Sequence, residues 1–233
     1  SFEKYFGKRS YVSMAIFRKN LQNYIFNEVS SRDNSFLPRP AATPVGVTPL
    51  QYGPVTKPTN GQGGRLDGVE LSASLEGALV HPMLDGFGVV ASASKLSSDL
   101  KDASGEQIML NGLSGTSASV TFYYENNGFS ARVSERYRAP FSATSRDIYF
   151  KSVTLQQEAD RVVDLQLGYA FEQGAYKGLS FLFQINNALD QTTMNSKTAG
   201  PVAPDNTPDT KQLVPNYTYS FGRQMLVGLN YKF

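Results

Sequence analysis

Enzymatic chemistry needs a nucleophile or a base held by partners, and this chain supplies almost none. Its one histidine, His81, precedes Pro82 in a turn-like stretch. It belongs to no His/acid cluster with metal-ligand spacing and reads as a solvated turn residue. Serines are abundant, yet none has the context of a nucleophile elbow or a histidine to activate it. Cysteine is absent, which excludes a disulfide framework, a thiolate metal site and a thiol nucleophile in this stretch. No Gly-rich phosphate loop follows a strand and opens a helix. The sequence therefore predicts no enzyme, no metal and no cofactor. What remains is binding chemistry. Phe36, Tyr52, Tyr149 and Phe150 lie in segments that read as long loops, where an aromatic ring is suited either to stack on a sugar or to anchor at a membrane interface. Arg132, Arg136, Arg138, Asp164, Gln184 and Asn186 form a second set, on the polar side of predicted strands.

The elements that carry these residues must be strands. In Val163–Phe171 the odd positions are large and apolar and the even ones small or polar, the period-two pattern of a strand whose faces meet different surroundings. Leu179, Phe181, Phe183 and Ile185 repeat it, as do Val120, Phe122 and Tyr124, then Phe129, Ala131 and Val133, and finally Met225, Val227, Leu229, Tyr231 and Phe233. Strands are predicted at roughly 10–29, 65–79, 86–96, 114–125, 129–138, 159–172, 178–189 and 216–233. Residues 1–6 read as the tail of an earlier strand, and the start at Ser1, with no Met or signal sequence, points to processing or truncation. The first strand is ambiguous, because Val12, Met14 and Ile16 compete with Ala15, Phe17 and Leu21 for the apolar face.

Proline and glycine divide the chain. Ten of the twelve prolines fall in 31–64 and 191–215, and both stretches read as long loops because proline cannot donate to a sheet ladder. Long connections are expected near 30–64, 97–113, 139–158 and 190–215. Tight turns are expected at 7–9, 81–85, 125–128 and 172–177, with Asn127-Gly128 suited to a type I′ hairpin. Short and long connections thus alternate, which puts all tight turns at one end of the sheet.

Charge and hydropathy narrow the class. Lys plus Arg number 22 against 20 Asp plus Glu, for a net charge of +2 with no polybasic run, so nucleic acid is not an expected partner. No run of 18 apolar residues occurs, which excludes a transmembrane helix but not a barrel wall, whose strands keep polar residues at every other place. A soluble β-sandwich shares the alternation. Strands longer than ten residues, connections segregated by length, and charge on the polar faces favour a transmembrane barrel.

Several motifs then carry a family resemblance. Residues 219–233 resemble the closing strand of TonB-dependent outer-membrane receptors, with an aromatic, Gly222-Arg223, Gly228 and a terminal aromatic-x-Phe. Met225, Val227, Leu229, Tyr231 and Phe233 resemble an outer-membrane assembly signal. Residues 178–190, ending Asn187-Ala188-Leu189-Asp190, resemble the penultimate strand. Gly68–Leu71, Leu84–Val89, Tyr123–Arg132 and Tyr137-Arg138 resemble a proteobacterial branch several members of which take up carbohydrates.

The resemblance implies a barrel of about 22 strands around a plug domain, of which this chain supplies the C-terminal part: an all-β, antiparallel transmembrane sheet of about eight strands plus a partial one, with the plug lying outside residues 1–233. It implies active uptake of a scarce nutrient, an oligosaccharide in preference to a siderophore, driven through TonB across the outer membrane. Lipid, the plug and the ligand are the implied direct partners. Arg132, Arg136, Arg138, Asp164, Gln184 and Asn186 would face the lumen, with the Asp164, Asn186 and Arg136 group either bonding the plug backbone or lining the upper vestibule. A small stand-alone barrel and a secreted carbohydrate-binding sandwich are the alternatives.

Overall fold

The computed structural model describes residues 1–7, 9–33, 35–36, 52–101, 103, 105, 107–108, 110, 112–146, 152–191, 194–199 and 213–232. The strands are β1 (Phe2–Phe6), β2 (Ser10–Leu21), β3 (Ile25–Asp33), β4 (Tyr52–Asn60), β5 (Gly63–Glu76), β6 (Phe87–Lys101), β7 (Gln107–Ile108) and β8 (Thr116–Asn126). They continue with β9 (Phe129–Arg138), β10 (Phe141–Arg146), β11 (Ser152–Gln157), β12 (Asp160–Ala170), β13 (Leu179–Asn186), β14 (Met194–Ala199), β15 (Leu213–Tyr219) and β16 (Gln224–Tyr231). The main sheet runs β1-β2-β5-β6-β8-β9-β12-β13-β16, with β7 added to the end of β6, and every pairing is antiparallel. The eight expected strands and the stub at 1–6 are all in it. The sheet is open, with β1 and β16 at its edges.

Three expectations need correction. The strand predicted over 10–29 is two strands, broken at 22–24, and the one predicted over 216–233 is β15 and β16, broken at 220–223 around Gly222 at φ +68°. The stretches expected to be loops also hold paired strands. β3 and β4 form a hairpin above β2 and β5, while β10, β11, β14 and β15 form a four-stranded sheet above β9, β12, β13 and β16. Pro54 and Pro58 sit inside β4, paired with Ser31 and Asn27. They share one parity on a strand that pairs on one side only, where a missing N–H removes no ladder bond. Proline content therefore marked an edge strand as well as a loop.

Tight turns behave as the residues demand. Asn127 and Gly128 both take positive φ, +48° and +79°, between the paired Asn126 and Phe129, as a two-residue type I′ hairpin requires. A Cβ at position 128 would meet the Ala170 carbonyl oxygen at 2.2 Å, so glycine is needed there for space as well as conformation.

Register fixes which side chains share a face. Val12, Met14 and Ile16 pair with Ala73, Leu71 and Val69 on one face, so Ala15, Phe17 and Leu21 lie on the other. The same face carries Phe122, Val133, Leu165, Ile185 and Met225 in continuous register from β8 to β16. It is uncovered: Ile16 is 67% exposed, Leu229 66% and Val227 82%. Only Leu100, Leu155 and Val162 are buried apolar residues among those described, so the sheet has no internal core of the kind a sandwich builds between two layers.

That apolar face has ordered borders. Phe87, Tyr124 and Phe129 touch in sequence near the tight turns, with ring centroids 4.5 and 6.1 Å apart, and Tyr169, Phe171 and Phe181 do likewise at 4.9 and 6.1 Å. Aromatic rows of this kind sit at membrane–water boundaries. At the other end charge begins at Arg18 on β2 and Arg161 on β12. Traced through paired residues, Arg161 is level with Tyr137, Ala118, Ala93, Leu71 and Met14, four residues nearer the tight turns than Arg18. The border is thus inclined to the ladder rows, as it must be where strands tilt by about 35–45° in a barrel.

Candidate functional site: the polar face and the outer hairpins

The polar face changes character across the sheet. From β2 to β8 it is a wall of hydroxyls: Ser13 bonds Ser72 at 2.7 Å, Ser92 bonds Ser119 at 2.8 Å and Ser94 bonds Ser117 at 2.8 Å. These sit in adjoining register, since Ser13 pairs with Ser72, Ser72 with Ser92 and Ser92 with Ser119. Short side chains leave a hollow of about 510 Å³ against Glu70 and Arg136. A hydroxyl donates or accepts, so such a wall offers bonds in either sense to whatever faces it.

From β9 to β16 the same face carries long polar side chains. Arg136 Nη2 donates to Asp164 Oδ2 at 3.1 Å, and Asp164 Oδ1 accepts the Asn187 backbone N–H at 2.9 Å. Gln184 Nε2 donates to Asn186 Oδ1 at 2.7 Å. Asp164, Asn186 and Arg136 therefore line one cavity, of about 390 Å³, together with Val162, Phe221 and Gln224. Asn186 does not bond Asp164, because the carboxylate is taken by the neighbouring backbone. Arg132 and Arg138 lie on the same face but diverge from this group. Arg132 pairs with Glu125 toward the tight turns, and Arg138 donates to the Gly112 carbonyl at 2.9 Å beneath the Phe141 ring, 3.9 Å from its centroid.

Asn187 is the residue that sequence reasoning missed. It is 7% exposed and adopts φ +53°, a conformation that asparagine tolerates better than most side chains. Its Nδ2 donates to the Gln191 and Gly222 carbonyls at 2.9 and 3.2 Å, and its Oδ1 accepts the Gln191 N–H at 2.9 Å. Ala188 N–H then bonds the Val163 carbonyl at 2.7 Å, and Arg223 Nε the Ala188 carbonyl at 2.9 Å. The Asn187 side chain thus ties the end of β13 to the break before β16, while the backbone N–H groups of Asn187 and Ala188 tie it to β12. An asparagine closing a strand directly before a turn was the available signal.

The aromatic candidates divide. Phe36 and Tyr52 lie at the far end of the β3–β4 hairpin, 63% and 59% exposed. Tyr52 pairs with Asp33, and the Arg32 guanidinium lies over the Phe36 ring, 5.0 Å from its centroid. Tyr149 and Phe150 lie outside the described residues, as does Phe233 of the expected assembly signal. Met225, Val227, Leu229 and Tyr231 are all on the exposed apolar face of β16. Among the described residues no group of three or more His, Asp or Glu could hold a metal ion.

A search among curated proteins returns no match. A family model described as the β-barrel of TonB-dependent receptor-like proteins matches residues 1–188, which takes in every main-sheet strand but β16. That family is one of outer-membrane transporters, not enzymes, and it accounts for an exposed apolar face, inclined borders and hairpins raised at one end. The chain belongs to the TonB-dependent receptor family and forms part of the antiparallel β-barrel by which those receptors span the outer membrane.

Proposed function

We propose that this barrel wall serves the TonB-dependent uptake of an oligosaccharide, with the β3–β4 hairpin making first contact with the sugar. The observation that carries the reading is the pairing of exposed rings with polar partners at the hairpin's far end. Phe36 has Arg32 on one side, and Tyr52 stands across the ladder from Asp33. Pyranose recognition uses this combination, an apolar ring face for the C–H surface of the sugar and charged groups for its hydroxyls. Tyr149 and Phe150 are proposed to act alongside them. Siderophore recognition is the competing cargo chemistry within the same transport role.

Inside the barrel, Arg132, Arg136, Arg138, Asp164, Gln184 and Asn186 are proposed to face the plug, with Arg136, Asp164 and Asn186 bonding its backbone. The alternate residues Met225, Val227, Leu229, Tyr231 and Phe233 are proposed as the signal read during outer-membrane assembly.

The test is sugar binding by the receptor that carries this chain. Titration calorimetry against a panel of oligosaccharides should find a binder, and Phe36→Ala with Tyr52→Ala should weaken it at least tenfold, as loss of two stacking rings implies. Binding of a ferric siderophore with no response to any oligosaccharide would overturn the sugar assignment and leave the transport role intact.

A further inference from the structure

The turn between β5 and β6 departs from its neighbours at the tight-turn end. The others are short or charged: Asn127-Gly128 has two residues, the β1–β2 turn carries Arg9, and the β12–β13 turn carries Glu172 and Lys177. Residues 77–84, Gly-Ala-Leu-Val-His-Pro-Met-Leu, include no Asp, Glu, Lys or Arg. They fold into two 3-10 turns, Gly77–Leu79 and Pro82–Leu84. Apolar side chains stand bare on them, with Val80 81% and Met83 84% exposed.

The backbone of this turn is satisfied from within. The Gly77 carbonyl accepts the N–H groups of Val80 and His81 at 2.9 and 3.1 Å, the His81 carbonyl accepts that of Leu84 at 2.9 Å, and the Pro82 carbonyl that of Asp85 at 3.1 Å. His81 Nδ1 accepts the Met83 N–H at 3.2 Å. Proline has no N–H, so every backbone donor from Val80 to Asp85 is bonded inside the turn. A segment needs this where water is scarce. The turn is also held in place: a Cβ on Gly77 would collide with Leu84, and one on Gly7 would stand 3.2 Å from Leu79 Cδ2. Its two ends therefore close on each other, and Leu79 rests on the β1–β2 turn.

Its level in the wall follows from the register. On β12 the outward face runs eight residues from the charged border at Arg161 to the aromatic border at Tyr169. Eight residues from Asp67, the partner of Arg18, is Leu75, whose partner on β6 is Val89. The hydrocarbon-facing band thus ends one residue before Glu76 closes β5, and the turn starts at that boundary. On the inward side the rim is polar, where Glu76 pairs with Arg9 at 3.8 Å and Tyr5 donates to Glu3 at 2.8 Å. On the outward side it is apolar, with Phe6 and Phe87 exposed.

We propose that residues 77–84 form an interfacial anchor, with Val80 and Met83 inserted among the headgroups and upper acyl chains of the periplasmic phospholipid leaflet. Short turns of such barrels face the periplasm. The interfacial layer is about 5–7 Å deep on each side of the hydrocarbon, and a three-residue 3-10 turn rises about 6 Å, so the turn fits within that layer. Its apolar side chains continue the outward face from Leu75 and Phe87, and it brings no formal charge to desolvate. The β8–β9 and β12–β13 hairpins mark the same boundary with aromatic rings. Here aliphatic side chains on a turn outside the ladder do so.

The experiment uses the receptor that carries this chain, reconstituted in phospholipid vesicles. Val80→Cys, Met83→Cys and, as a control on the exposed β12–β13 turn, Gln173→Cys each carry a nitrobenzoxadiazole label. Nitroxide on the upper acyl chain of the lipid reads lipid contact, and iodide on both sides of the vesicle reads water. Labels at 80 and 83 should be quenched at least threefold more by the nitroxide lipid than the label at 173, and at least threefold less by iodide. In the unlabelled receptor, Val80→Asp with Met83→Asp should speed amide exchange across 77–86 at least fivefold and leave the Asn127-Gly128 turn unchanged. Iodide access at 80 and 83 equal to that at 173 would put the turn in water, and shielding from both quenchers would put it against protein, the plug included. Either result overturns the proposal, as does exchange that the double variant leaves unchanged. A label at Leu165→Cys tests the membrane reading on which the anchor rests, and absence of quenching there by nitroxide lipid would overturn both.

Discussion

Along β12 the two faces alternate residue by residue, and they obey different rules. Val163, Leu165, Leu167 and Tyr169 turn to one side, where Leu167 is 47% and Tyr169 42% exposed; Asp164 and Gln166 turn to the other and find polar neighbours. In water the apolar side would be the buried one. Here it lies bare, while the polar side carries the serine wall and the Arg136–Asp164 group. The difference teaches that the solvent of this sheet is reversed. Lipid sets the composition of the outward face, and the serine pairs and the Arg136–Asp164 pair are confined to the inward one.

The largest effect should come from breaking the outward face at mid-membrane. Leu165 lies four residues from Arg161 and four from Tyr169, midway between the two borders. Leu165→Arg should destabilise the folded receptor by about 2–4 kcal/mol, the cost of a cation at the bilayer midplane, whereas Gln166→Arg on the inward face should cost under about 1 kcal/mol. Equilibrium unfolding in lipid vesicles measures both, and equal costs would erase the distinction between the faces.

A smaller effect is expected at the junction of β12, β13 and β16. Asn187→Ala removes three part-buried side-chain hydrogen bonds from a side chain that is itself 7% exposed, at a cost of about 1–3 kcal/mol. The loss should be local, with faster amide exchange at Gln191 and across 220–223 than on β8 or β9. Exchange that rises uniformly across the sheet would show that Asn187 has no special hold on this junction.

Much of this was legible in the residues. Period-two alternation located β8, β9, β12, β13 and β16 of the main sheet, because each face has one environment over most of its length, while the two-residue β7 lay hidden in a stretch expected to be a loop; Asn127-Gly128 marked its hairpin because few residue pairs accept two positive φ values. The ambiguity on β2 was real, since Phe17 is large and apolar but lies on the inward face. It packs over Gly68, where a Cβ would come within 2.3 Å of its ring, and only register reveals that pairing. The outer hairpins were hidden for a related reason. Proline signals a missing donor, and it does not say whether that donor faces a loop or the free edge of β4. Asp164 and Arg136 were expected together and are together, but the partner expected in Asn186 is the backbone of Asn187. A side-chain period gives the face and not the bond.

The absence of cysteine in the chain makes the central claim open to a direct test. Single cysteines placed in turn at positions 163 to 169 of the receptor, spin-labelled and reconstituted in vesicles, report contact with oxygen dissolved in lipid and with a water-soluble nickel chelate. Labels at 163, 165, 167 and 169 should be relaxed by oxygen, and those at 164, 166 and 168 by the chelate, in strict alternation. Equal chelate access at odd and even positions would contradict a lipid-facing wall and with it the account of this chain as part of a receptor barrel.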